Sequence, residues 1–120
     1  MRAANRKRRA TLSGALNHRI SSNVYQSLKV RGGRKAGRRW EQLVGYSTDD
    51  LRAHLERQFR PGMSWANFGE WHVDHIVPLA SFTFASPDDD EFRAAWSLAN
   101  LQPLWALENL QKRDQRLTLL

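Results

Sequence analysis

The chain has 120 residues, of which 41% are hydrophobic, with five Trp and five Phe; that suffices for one domain with a modest core and argues against wholesale disorder. It has no cysteine, which excludes disulfides and any Cys-based zinc cluster. No apolar run is long enough to cross a membrane, and the first residues are too basic for a signal peptide, so a cytoplasmic protein is expected. The net charge of +7 is unevenly placed: residues 1–40 carry 12 of the 19 Lys and Arg and none of the 12 acids. Such one-sidedness is the footprint of a polyanion partner, with nucleic acid first and an anionic membrane surface or a solubility tail as the plainer alternatives.

In chain order, residues 1–10 read as a mobile basic arm in which Arg6, Lys7, Arg8 and Arg9 repel one another unless a polyanion is present. Leu12, Leu16, Ile20, Val24 and Leu28 recur every four residues and predict a helix over 12–30, ended by Gly32-Gly33. Arg31, Arg34, Lys35, Arg38 and Arg39 then form a basic, glycine-containing loop suited to tracking phosphates. Residues 40–46 read as a short strand or extended piece. Ser47 and Asp50 make a capping-box start to a helix over 48–59 that buries Leu51, Leu55 and Phe59 and ends at Pro61-Gly62. Residues 63–70 are an aromatic-rich connection. Residues 71–79 read as a strand running into a turn at Pro78. A helix over 87–98, an extended piece over 100–104 and a last helix over 106–114 complete the chain. The charge break divides it into a basic segment, 1–40, and a remainder, 41–120.

Three features of the second half can carry chemistry. Asp74-His75 joins an oxygen ligand for a hard cation to an imidazole able to take a proton near neutral pH. Neighbours on a regular strand face opposite ways, so both reach one site only if the chain bends there. A pair of this kind is, on its own, more often a partly buried His bonded to a neighbour. Asn100 in NLQPL can bridge two backbone groups and fix a loop, or simply be a turn residue. Asn109 and Lys112 share a face of the last helix. The Asn could ligate a cation and the Lys could meet a phosphate, though an ordinary exposed helix surface is the plainer reading. His72 lies two residues before Asp74 on the same strand face and is a further candidate ligand or phosphate contact, or equally a surface histidine.

Taken together, WHVDHIVPLASF (71–82) and NLQPLWALENLQKRD (100–114) match in order and spacing, and the chain resembles the HNH endonuclease family over roughly residues 63–114. GYSTDDLRAHLERQF (45–59) is similar to the region that precedes the motif in phage-type members. The resemblance implies an α+β fold: a small ββα-metal core, here with additional N-terminal helices. By position, it implies His75 as general base, Asp74 as metal ligand, Asn100 as the central Asn bracing the loop that carries His75, and Asn109 as second ligand where many members have His. This H-N-N set is all-oxygen at the metal and suits one Mg²⁺ or Mn²⁺ better than Zn²⁺. The implied activity is metal-dependent hydrolysis of DNA phosphodiester bonds, by nicking or double-strand cleavage, in the host cytoplasm if the chain is phage-encoded. DNA is the expected partner, bound through the basic residues of the first third and Lys112, with a homodimer or a phage packaging partner beside it and neither a membrane nor a small-molecule substrate. The alternative is a DNA-binding or packaging accessory protein that is catalytically silent on its own. CxxC pairs common in relatives are absent, and Trp71, Trp96 and Trp105 are expected to supply packing instead.

Overall fold

The four-residue apolar repeat builds the centre of the molecule: Leu16, Ile20, Val24 and Leu28 are all fully buried on one face of a long helix, α1 (Arg2–Lys29). Against it pack α2 (Trp40–Val44) and α3 (Thr48–Glu56). There follow β1 (Trp71–His75), α4 (Asp90–Ala95), β2 (Leu101–Trp105) and α5 (Ala106–Thr118). The computed structural model describes residues 2–34 and 37–118, with side chains from 14 to 34 and from 37 to 112. Among these residues the architecture is α+β, with five α-helices and one two-stranded antiparallel sheet. No helix among them is long and apolar enough to cross a membrane.

Two expectations are corrected. Residues 2–10, expected as an irregular basic arm, are helical and form the start of α1. Ala, Arg and Lys are strong helix formers and neither Gly nor Pro interrupts them before Gly14, so helix propensity carries the element toward the N-terminus despite the like charges. Residues 40–44 are a helix and not a strand. The Gln42 side chain accepts the Arg39 N–H at 3.0 Å, and Gly45, at φ 83°, donates its N–H back to the Glu41 carbonyl, so both ends of the turn are capped.

Elsewhere the elements stand and their ends move. β1 stops at His75 because Asn100 takes over the next residues, as described below. α4 begins at Asp90, three residues later than expected: the Asp89 carboxylate accepts N–H bonds from Ala85 and Ser86 and folds 85–89 into a turn. α3 ends at Glu56, and both His54 and Gln58 hold the Leu101 carbonyl of β2. Gly33 is needed at its position, since a Cβ there would overlap the Ala85 carbonyl.

β1 and β2 pair from Trp71 opposite Trp105 to His75 opposite Leu101. The bonds from Ile76 N to Asn100 O and from Ala106 N to Glu70 O bracket this ladder. Their alternation puts Pro103, opposite Val73, at a pair that exchanges no hydrogen bonds, so its missing N–H costs the ladder nothing. Trp71 and Trp96 are buried and Trp105 packs at the edge of the core. The buried indoles are satisfied: Trp71 by Ser64 O and Asn67, Trp96 by Ser27.

Candidate active site

The strands and α5 bring the motif residues together. Asp74 and Gln102 lie directly opposite in the sheet, with side chains on the same face. The Gln102 amide donates to Asp74 Oδ2 at 3.0 Å, and Lys112 Nζ, from α5, donates to the same oxygen at 2.8 Å. Lys112 also donates to the His75 carbonyl at 3.1 Å, tying α5 to the end of β1. Asp74 is 7% exposed, so its charge is met by the ammonium and not by bulk water. Both donors converge on Oδ2, and no described residue bonds Oδ1.

Asn100 joins three segments. Its side-chain oxygen accepts the Val77 N–H at 2.8 Å, and its amide donates to Val77 O at 3.1 Å and to Ala95 O at 2.9 Å. Its backbone carbonyl accepts the Ile76 N–H at 2.8 Å. Asn100 thus fixes the two residues after His75, Ile76 through its backbone and Val77 through its carboxamide, and ties them to the end of α4 and the start of β2.

His75 stands edge-on to Trp96, with ring centroids 4.4 Å apart. Its Nε2 is buried and has no hydrogen-bond partner among the described residues. Burial pushes its pKa down to about 4; the Asp74 charge works against that shift and Lys112 reinforces it. The ring is therefore neutral at pH 7, the form a proton acceptor requires.

Asp74, His75 and Asn109 line one cleft of about 430 Å³, with Val73 and the Pro78–Ala80 segment. β1 stays regular through His75, and both members of the pair nonetheless border this space. His72, half-buried opposite Leu104, is not among its lining residues. No group of three His, Cys, Asp or Glu side chains among the described residues is placed to hold a metal ion. A cation here would have one carboxylate, one carboxamide and waters, a donor set that fits a hard, largely hydrated ion such as Mg²⁺.

The basic residues divide. Arg31 is held: its two terminal nitrogens donate to Ser27 O at 2.8 Å and Leu79 O at 3.0 Å, and the guanidinium lies 4.2 Å from the Phe84 ring centroid. It straps the end of α1 to the loop after β1. Lys112, expected on a phosphate, sits on Asp74. Arg34 is exposed; Arg38 faces Asp88 at 3.5 Å and Arg39 faces Glu41 at 3.9 Å. Arg38 and Arg39 border a separate hollow with Asn17 and Trp40. Lys35 and the side chains of Arg6, Lys7, Arg8 and Arg9 lie outside the described residues.

Sequence reasoning missed Gln102, since nothing in NLQPL says which residue stands across the sheet. It also missed the Trp96 contact with His75 and the Arg31 strap, which join segments far apart in the chain.

No family model matches the chain, and no solved structure matches it. Over 102 residues it is 30% identical to "Uncharacterized protein L426" of Acanthamoeba polyphaga mimivirus. The match covers 83% of this chain and 44% of that protein, so the chain spans less than half the length of the relative.

Proposed function

We propose that the chain is a metal-dependent nuclease of the HNH type that hydrolyses DNA phosphodiester bonds. The observation that carries the reading is one arrangement: Asp74 and His75 at the end of β1, Asn109 facing them from the helix that follows β2, and Asn100 clamping the loop between. That strand–strand–helix order is the one the motif resemblance implies for a ββα-metal core.

Asp74 and Asn109 are the residues that would hold the cation. When bound, a divalent ion supplies Lewis-acid neutralisation of the charge that builds on the scissile phosphate and the leaving 3′ oxygen. His75, neutral at pH 7, takes the proton of the attacking water. With Nε2 sealed against the protein, Nδ1 is the nitrogen left for that task. Asn100 keeps the His75 segment in place, and Gln102 with Lys112 orients the carboxylate. The basic first third supplies affinity through phosphate contacts, and the reaction takes place wherever the DNA is, the host cytoplasm for a phage-encoded chain.

A second reading is favoured by the Lys112–Asp74 pair, which already neutralises the proposed ligand. On it, the chain binds DNA and stays silent until a packaging partner rearranges the site. Conversion of supercoiled plasmid on addition of Mg²⁺ or Mn²⁺, stopped by EDTA, supports the nuclease. Salt-sensitive DNA binding with no cleavage in either metal overturns it in favour of the accessory protein.

A further inference from the structure

The space beside His75 continues past the cleft already described. A second cleft, about 460 Å³, shares Val73, His75, Leu79 and Asn109 with the first and is bounded on its far side by α1. Its volume lies in the range of small-molecule sites, about 300–1,000 Å³. α1 contributes Asn23 and Gln26, one helical turn apart on the same flank. Both are exposed, and neither carboxamide is hydrogen-bonded to any described residue. Trp96 and Val30 add apolar surface, and Val30 is 66% exposed with no packing role of its own.

Charge decides what such a wall suits. Arg31 is the one cation among the described residues that line it, and its terminal nitrogens are committed to the Ser27 and Leu79 carbonyls. Apart from that anchored guanidinium, the wall offers neutral donors and acceptors over an apolar base. That suits a flat heteroaromatic ring with polar edges better than it suits a phosphate. On the nuclease reading the scissile phosphate would lie in the adjoining cleft, beside Asp74, with Asn109 on the wall that the two clefts share.

We infer that this second cleft is a nucleoside subsite: it takes the base of the nucleotide flanking the scissile phosphate, with Asn23 and Gln26 reading the polar edge of the base. The inference rests on the nuclease reading for its substrate, and it deepens that reading by assigning to α1 a role in recognition. A carboxamide offers an acceptor and a donor side by side, the pattern that matches the amino group and N7 of adenine.

The test is binding of two small probes to the full chain, followed by the amide signals in nuclear magnetic resonance spectra. Deoxyadenosine 5′-monophosphate should shift the side-chain amides of Asn23 and Gln26, whereas deoxyribose 5-phosphate, which has no base, should leave them unmoved. In the double variant N23A/Q26A the affinity for the nucleotide should fall about tenfold, toward that of the sugar phosphate, whose own binding is unchanged. Nucleotide binding that leaves Asn23 and Gln26 unmoved, or that is as tight in the variant as in the wild type, overturns the subsite. So does the absence of any nucleotide binding. Plasmid cleavage measured alongside separates the two claims: cleavage without base-dependent shifts removes the subsite alone, and base-dependent shifts without cleavage keep the subsite and remove the nuclease.

Discussion

Asn100 has more structural consequence than any other polar residue in the site. Its three side-chain bonds hold the Val77 backbone and the end of α4, and it is 8% exposed, so water cannot readily replace them. Asn100→Ala should cost about 2–3 kcal/mol, seen as a lower denaturant midpoint, and should release the loop after His75. Unchanged stability would mean that the loop is held by other contacts. The residue types of the site were legible in the sequence: a carboxylate, an imidazole and two carboxamides in fixed order. Their partners were not. Gln102 meets Asp74 only because the strands pair in one register, and Lys112 turns from an expected phosphate contact into the counter-ion of Asp74 because α5 packs back on the sheet.

At the scale of elements, the four-residue repeat of α1 revealed the core helix directly, because Leu16, Ile20, Val24 and Leu28 are all buried. Boundaries were harder, since they are decided by side chains reaching to backbone: Gln42 to Arg39, Asp89 to Ala85 and Ser86, Asn100 to Val77. Periodicity does not register such bonds. One of them gives a pH dependence. The two N–H donors hold the Asp89 carboxyl below its ordinary value of 3.8. A carboxyl lowered by folding stabilises the folded state above its unfolded pKa, and that contribution is lost as pH falls through the lowered folded value. Asp89→Asn should therefore be less stable than the wild type at neutral pH, with the gap closing in acid below 3.8. Thermal melts across that range read it directly; a gap that persists in acid would show that the charge of Asp89 is not what matters.

For the whole molecule, the charge split is the property that should govern encounter with a polyanion. Twelve of the 19 cationic residues fall in the first 40 positions, which contain no acidic residue. DNA affinity should fall steeply and linearly on a log–log plot against salt. Replacing Arg6, Lys7, Arg8 and Arg9 by Ala should flatten that slope by up to about 3–4 contacts' worth. An affinity flat with salt would remove the phosphate-tracking role of this segment. The charge split is legible in the order of residues alone. The strap formed by Arg31, which takes one of these cations out of play, depends on how α1 meets the loop after β1 and has no signature in the sequence.

The measurement that bears most directly on the account is plasmid cleavage in Mg²⁺ or Mn²⁺ with the wild type beside His75→Ala, together with DNA binding by both. Metal-dependent cutting should disappear in the variant while DNA binding stays nearly intact. Cutting by His75→Ala at the native rate would contradict it, because the imidazole beside Trp96 could not then be the group that takes the proton.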